Sequence, residues 1–366
     1  MTTNLSPDEK YMRQALRQAR RGLGKTSPNP MVGAVIVKEG RIIGQGYHQY
    51  FGGDHAEVDA INNATEDVAG ATMYVTLEPC CHYGKTPPCV NAIIENKIGE
   101  VVIGMLDPFP EMSGKSLEVL KQHGIKTRVG VLEKECRALN EAYLKYTTTG
   151  MPFVTVKFAQ TLDGRIATAA GASRWISSPA SRRLAHKLRA HHDAILAGIG
   201  NVLKDDPELT TRLVRGRNPT RIILDSKLRI PLDSKVLTHQ EAARTLVAAT
   251  PPADKAKVAA LRKMGIEVLT VPPDAGGRVD IGKLLKTLAQ RQISSVLVEG
   301  GAETITSFLR LGLADKLVVF IAPKILGKGT DSVGELNITD ISKALKLSFE
   351  RVYRSGEDIV IEARMG

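Results

Sequence analysis

The feature that most restricts the fold is alternation. Short apolar runs rich in Val, Ile and Leu recur between stretches of helical spacing along most of the 366 residues. Strands interleaved with helices pack as an α/β layer with a largely parallel sheet. At the start, SPDE (residues 6–9) reads as a capping box, with Ser6 as N-cap, Pro7 at N1 and Glu9 at N3. Met12, Ala15, Leu16 and Ala19 follow at helical spacing, and Gly22 and Gly24 end that helix. Residues 31–48 read as a hairpin turning at Glu39-Gly40. Then come a helix over 55–64, a strand over 71–79, a helix over 89–97, a strand over 100–106, a helix over 117–125 and a short strand over 126–132.

The pattern breaks at TTTGMP (residues 147–152), which has the composition of a linker. Two domains suit a chain of this length, so the expected division is 1–147 and 148–366. After the break the alternation restarts, with strands expected over 152–160, 193–198, 220–225, 244–250, 266–271, 294–301 and 317–323. No internal repeat relates the halves.

No run approaches the ~20 apolar residues needed to span a bilayer, and the N-terminus lacks the basic and apolar regions of a signal peptide. The expectation is a cytoplasmic protein without membrane contact. In that compartment the four cysteines point to metal binding or catalysis and not to a disulfide framework. A formal charge of +11 suits either phosphorylated small molecules or nucleic acid. Aromatics make up only 4% of the residues, and there is no Lys/Arg-rich tail. Platforms for base stacking are therefore scarce, and small anionic ligands are favoured over nucleic acid.

Three of the four cysteines fall in EPCCHYGKTPPC (residues 78–89). Upstream lies His55-Ala56-Glu57. One imidazole and two thiolates form the three-ligand set of a catalytic zinc ion with an open water position. His55 and Glu57 open one expected helix, and Cys89 opens another. A helix N-terminus lowers a thiol pKa and favours the thiolate that binds metal. Glu57, two residues past a ligand, is placed to take a proton from metal-bound water and deliver it to a leaving amine. The pattern is that of zinc deaminases acting on nucleobases. A purely structural zinc would recruit Cys81 or His82 as a fourth ligand and leave Glu57 without a task. Adjacent Cys80 and Cys81 could hardly both reach one ion in good geometry. Cys136, on an expected helix, reads as a core residue.

Through SPNPMVGAVIV, GYH, HAEVDA and EPCCHYGKTPPC the first half resembles the deaminase domain of the bifunctional riboflavin-biosynthesis deaminase/reductase family. The resemblance implies a cytidine-deaminase-like three-layer α/β/α domain, with His55, Cys80 and Cys89 on Zn²⁺ and Glu57 catalytic. It implies hydrolytic deamination of 2,5-diamino-6-ribosylamino-4(3H)-pyrimidinone 5′-phosphate. Asn29, His48, Lys85 and Thr86 would hold the pyrimidine and its phosphate. One departure is Asp107-Pro108-Phe109-Pro110, where the family pattern is DPNP.

The second half lacks a GxGxxG fingerprint. VEGGAET (residues 298–304) places two glycines between a strand and a helix start, a turn that lets phosphate approach backbone N–H groups. Together with TVKFAQTLDGR, SRWIS, the stretch from Arg189 to Arg212 and APKILGK, this half resembles the reductase domain of the same family. The resemblance implies a dihydrofolate-reductase-like α/β domain using NADPH to reduce the ribosyl group to ribityl. Ala159, Trp175, Asn201, Asp205, Gly301, Ala302, Glu303 and Thr304 would line the NADPH site, with Ser226 near the adenosine ribose. Ser173, Arg189, Leu209, Arg212 and Glu299 would hold the substrate. Asn201 stands where threonine is expected, and Lys157 and Asp205 are candidate proton donors. The family also implies a homo-oligomer, a dimer or larger.

Two other readings use the same residues. One is an RNA or nucleoside zinc deaminase with an appended binding domain, which the GKTPP insert and the missing RNA-module signature oppose. The other is a structural zinc beside a nucleotide-sensing domain, for which zinc removal would abolish folding and not turnover alone.

Overall fold

The computed structural model describes residues 5–83, 87–109 and 112–366. Lys85 and Thr86 lie outside the described residues. The chain divides into two compact units, Met1–Gly150 and Met151–Gly366.

The first unit opens with α1 (Pro7–Ala19), capped by Ser6 and Glu9 in a reciprocal capping box. Met12, Ala15, Leu16 and Ala19 form its buried face. β1 (Gly33–Lys38) and β2 (Arg41–Tyr47) form the hairpin, turning through Glu39 and Gly40, both at positive φ. Then follow α2 (Ala56–Asn62), β3 (Thr72–Val75), α3 (Cys89–Glu95), β4 (Glu100–Ile103), α4 (Lys115–Gln122), β5 (Lys126–Val129), α5 (Glu133–Leu139) and α6 (Glu141–Thr149). The sheet order is β2-β1-β3-β4-β5. β3, β4 and β5 pair in parallel, but β1 pairs antiparallel with both neighbours. The sheet is mixed, because a two-residue hairpin can only join antiparallel strands. α2 lies flush on β2 because Gly46 has no side chain: a Cβ there would strike the helix backbone at Ala56 and Ala60. That close seating sets the start of α2, and with it His55 and Glu57.

The TTTG stretch expected as linker is helical. Thr147–Thr149 form the last turn of α6, and Gly150 closes it in the left-handed region at φ 66°. Thr148 and Thr149 donate their hydroxyls to carbonyls four residues back, which satisfies the hydroxyls within the last turn of the helix.

The second unit contains β6 (Phe153–Thr161), β7 (Arg165–Thr168), α7 (Pro179–His191), β8 (Ala194–Gly198), α8 (Ile199–Asp205), β9 (Thr220–Leu224), α9 (Lys235–Thr238), β10 (Thr245–Ala249) and α10 (Lys255–Lys263). It continues with β11 (Glu267–Thr270), α11 (Ile281–Gln290), β12 (Ser295–Val298), α12 (Ala302–Arg310), β13 (Lys316–Ala322), β14 (Gly329–Asp331), β15 (Leu347–Ser355) and β16 (Asp358–Met365). Nine strands form one sheet in the order β11-β10-β9-β8-β12-β6-β13-β16-β15. It is parallel from β11 to β13 and antiparallel through β16 and β15. Apolar side chains cover both faces of the parallel part in separate clusters, as a sheet sandwiched by helices requires. β7 and β14 form a small separate ribbon.

Candidate active sites

In the first unit, His55 is the N-cap of α2 and Cys89 the first residue of α3. The two helix starts converge. His55 Nδ1 lies 3.1 Å from Cys89 Sγ and 3.4 Å from Cys80 Sγ. The Cys89 backbone N–H donates to Cys80 Sγ at 3.2 Å. The three ligating atoms all lie within 4.8 Å of one another. Hydrogen bonds from the Cys89 thiol and from His55 hold Cys80 down to about 4, whereas the bond to Cys80, with burial, raises Cys89 well above an ordinary thiol. The bond to Cys80 raises His55 to about 9. The negative charge therefore sits on Cys80. One thiolate facing an imidazole and a second sulfur is the donor set that zinc takes, and binding the ion would expel the protons shared by His55 and Cys89. Cys81 is outside the cluster and packs at the edge of the core, and Cys136 is buried within it.

Glu57, in the first turn of α2, is 3% exposed. Burial pushes its carboxyl up to about 7. Its Oε2 has no hydrogen-bond partner among the described residues. An unsatisfied buried carboxylate oxygen costs free energy, which a substrate or water proton would recover.

A cavity of about 260 Å³ opens on this cluster and is lined by Asn29, His48, His55, Glu57 and Cys80, among others. His48 Nδ1 bonds the Asp54 carbonyl at 2.9 Å, so that nitrogen carries the proton, and Nε2 accepts from Asn29 Nδ2 at 3.2 Å. Burial lowers the His48 pKa and keeps the ring neutral. Asp107 also lines the cavity, whereas Phe109 does not. Glu78 fixes Asp107 by accepting from its backbone N–H (3.1 Å) and from those of Gly114 and Ser116. Tyr143 and Phe51 line the wall and were not foreseen. Tyr143 sits on α6, close to the stretch read as linker, and it reaches Asp107 at 3.3 Å.

In the second unit a cavity of about 1020 Å³ lies at the carboxyl ends of the parallel strands, where open α/β sheets bind ligands. Ala159 comes from the end of β6, Asn201 and Asp205 from α8, and Ser226 from just after β9. Ser173 and Leu209 come from loops, and Gly301, Ala302, Glu303 and Thr304 from the β12–α12 turn. That turn is tight: a Cβ on Gly300 would lie 2.5 Å from Thr304 Cβ, and one on Gly301 would lie 3.2 Å from Asn201 Oδ1. Arg189 and Glu299 face each other on the wall in a bidentate pair at 2.8 and 3.0 Å, with Lys157 Nζ 3.6 Å from Glu299. Burial alone would raise the Glu299 pKa, but Arg189 and Lys157 outweigh it and hold it at about 2.

Two expected residues stand outside the lining. Trp175 is 59% exposed, with the Arg182 guanidinium 4.4 Å from its ring centre. The Arg212 side chain is half-exposed, 3.8 Å from Glu208. Lys204, Lys227, Arg229, Arg278 and Arg310 also line the cavity and were not foreseen, because lone surface cations carry no sequence signature. With Lys157 and Arg189 they make seven cations against four acids. The wall is thus electropositive, which suits phosphorylated ligands.

Residues 5–105 match the cytidine and deoxycytidylate deaminase zinc-binding region, and residues 152–361 match the RibD C-terminal domain. The chain is 48% identical to riboflavin biosynthesis protein RibD of Aquifex aeolicus over 97% of both chains. It is 39% identical to the Escherichia coli protein of the same name, over 97% of this chain and 98% of that one. The crystal structure of the Thermotoga maritima diaminohydroxyphosphoribosylaminopyrimidine deaminase/5-amino-6-(5-phosphoribosylamino)uracil reductase aligns at a TM-score of 0.87 and 41% identity, covering 98% of this chain and 99% of that one. Acinetobacter baumannii RibD aligns at 0.88 and 37% identity, with the same coverage. A zinc-type donor cluster in one unit, an electropositive cavity in the other and likeness along the whole length agree: the chain belongs to the RibD family of riboflavin biosynthesis, which joins a zinc-dependent deaminase to an NADPH-dependent reductase.

Proposed function

We propose that His55, Cys80 and Cys89 hold the deaminase zinc and that Glu57 moves the protons. The substrate is 2,5-diamino-6-ribosylamino-4(3H)-pyrimidinone 5′-phosphate. The observation that carries this reading is a buried Glu57 carboxyl, one oxygen of which has no hydrogen-bond partner, on the same helix start as a three-ligand cluster. Zinc, when bound, makes hydroxide available near neutral pH. Glu57 takes the proton of the attacking water and returns it to the departing amine, which leaves as ammonia. Asn29 and His48 hold the pyrimidine edge from the cavity wall. Lys85 and Thr86 are assigned to its phosphate by family resemblance alone.

In the second unit bound NADPH would be the source of the hydride that the first carbon of the ring-opened sugar takes up. The β12–α12 turn, with N–H groups at the start of a nine-residue helix, suits its pyrophosphate. Asn201, Ala159 and Ser226 contribute to the same wall. Arg189 and Lys157 exceed Glu299 by one positive charge, which supports binding of the sugar phosphate with Ser173, Leu209 and Arg212. Lys157 and Asp205, both on the wall, are the available proton donors.

The chain functions as a cytoplasmic homo-oligomer in this reading. No helix among the described residues is long and apolar enough to cross a membrane, and none of the four cysteines is in a disulfide. On the edge strand β15, Leu347, Phe349 and Val352 are 42%, 68% and 58% exposed. The bulge after Phe349 keeps them on one face, opposite Met365, Ala363 and Ile361. An exposed apolar row on a sheet edge calls for a partner.

The test supplies the diaminopyrimidinone phosphate to zinc-quantified protein and follows ammonia release and NADPH oxidation together. Both should proceed, ammonia first. Ammonia without NADPH oxidation would leave only the first unit's assignment standing. No ammonia from zinc-loaded protein would redirect the search to RNA substrates.

A further inference from the structure

Behind the large cavity, residues 208–213 form a loop whose peptides are held by side chains, of which Arg221 and His186 are buried. Arg221, fully buried, donates to the Glu208 carbonyl at 3.2 Å. Arg189 donates to the Thr210 carbonyl at 3.0 Å. The Thr211 N–H donates to Asn218 Oδ1 at 2.6 Å. The Arg212 and Leu213 N–H groups converge on His186 Nδ1 at 3.0 and 3.4 Å. Between these anchors Leu209 sits at φ 54° and lines the cavity. A bulky residue in the left-handed region persists only where its surroundings enforce it.

His186 is the acceptor in this set of anchors for which chemistry leaves one protonation state. A backbone N–H can only donate, so Nδ1 must be bare and the ring proton must sit on Nε2. The ring is 4% exposed on α7, three residues before Arg189. The charged groups facing it are Arg189 from its own helix, Arg212 from the loop, Lys157 from β6 and Glu299 from the end of β12. Glu299 is already bonded to Arg189 and paired with Lys157. Burial, then the cations, lowers the His186 pKa to about 4. An imidazolium here would turn an N–H against two N–H donors.

We propose that His186 is a positioning residue of the reductase, whose bare Nδ1 fixes the 208–213 loop in the shape that seats Leu209 on the cavity wall and keeps Arg212, three residues on and outside that lining, within the loop that receives the substrate's ribose phosphate. The proposal rests on the reading that those two residues meet the phosphate. His186 does not line the cavity, so its effect should fall on substrate KM and not on the hydride step.

The experiment uses full-length, zinc-loaded protein as wild type, His186→Phe, His186→Asn and Arg212→Met. Reductase kinetics are measured with 5-amino-6-(5-phosphoribosylamino)uracil, and ammonia release and NADPH affinity serve as controls of folding. Leaving two N–H groups unpaired in His186→Phe should raise substrate KM roughly tenfold or more, with NADPH affinity and ammonia release unchanged. Asparagine offers Oδ1 near the place of Nδ1 and should restore KM to within about threefold. Histidine ¹⁵N shifts of wild type should show an unprotonated Nδ1 at pH 7. A protonated Nδ1, or an unchanged KM in His186→Phe while Arg212→Met raises it, overturns the positioning role. If neither substitution moves KM, the phosphate reading itself has failed and takes the proposal with it.

Discussion

In the first unit the reactive groups come from two helix starts and the loop between them, His55 through Cys89, and they close on a cavity of about 260 Å³. In the second, the wall draws on residues from Lys157 to Thr330 around about 1020 Å³. The difference follows from where the chemistry resides. Hydrolytic deamination needs side chains that bind a metal and move protons, so a few residue types at fixed spacing must be present. In hydride transfer the cofactor carries the chemistry, and the protein supplies shape, backbone N–H groups and charge. Those can be assembled from many segments.

The comparison breaks most sharply on the metal ligands. Cys89→Ser should lower zinc content and abolish ammonia release, while the chain still oxidises NADPH when given the deaminated intermediate. Loss of both activities would mean that zinc holds the fold together, which is the structural-zinc reading. Glu57→Gln keeps the shape and removes the proton carrier. It should retain zinc and lose ~10²–10⁴-fold in deamination, again with reduction intact. A Glu57→Gln enzyme that deaminates at near wild-type rate would leave the carboxyl without the role assigned to it.

The same contrast explains what could be read from the sequence. The alternation located most strands and helices, and the capping box at Ser6 and the hairpin at Glu39-Gly40 were explicit. The antiparallel setting of β1 against β3 was not, because periodicity does not encode strand direction. The β15–β16 pair went unseen: LSFERVYRS alternates apolar and charged residues yet is exposed almost throughout, so it lacks the buried apolar run that marked the other strands. His55, Glu57, Cys80 and Cys89 announced themselves by type and spacing. His186, Tyr143 and Arg221 did not, since each acts through partners remote in sequence, as Arg221 does through carbonyls at 208, 239 and 243. Trp175 drew attention as the sole tryptophan, yet its ring is engaged by Arg182 outside the cavity.

Within the second unit the charge network is the element to break. Glu299→Gln leaves Arg189 and Lys157 buried without their counter-charge. Removing one partner of a buried pair costs about 3–5 kcal/mol. Urea unfolding followed by Trp175 fluorescence, which belongs to this unit alone, should show that loss, and reductase activity should fall. Ammonia release should not. A stable Glu299→Gln protein with normal reduction would mean that the two cations are satisfied by solvent in the cavity.

The smallest effect is a pH dependence of the second unit's stability. Glu299 is held at about 2 against an ordinary 4.5, and His186 at about 4 against 6.5. For both, the unfolded chain binds its proton at higher pH than the fold does. Acidification therefore favours unfolding, and stability rises with pH across each window. The His186 contribution is complete above pH 6.5 and is lost as pH falls to about 4, and that of Glu299 is lost between about 4.5 and 2. Each group can supply a slope of at most ~1.4 kcal/mol per pH unit. The Trp175 urea midpoint should thus decline from pH 6.5 downward in wild type. In His186→Asn, which keeps the acceptor but cannot titrate, the decline between pH 6.5 and 4 should become shallower without vanishing, because burial also lowers His191 to about 4 and lowers His192 in the same unit. An unaltered upper slope in that variant would assign the titration to another group and would remove the acid-side support for a neutral His186.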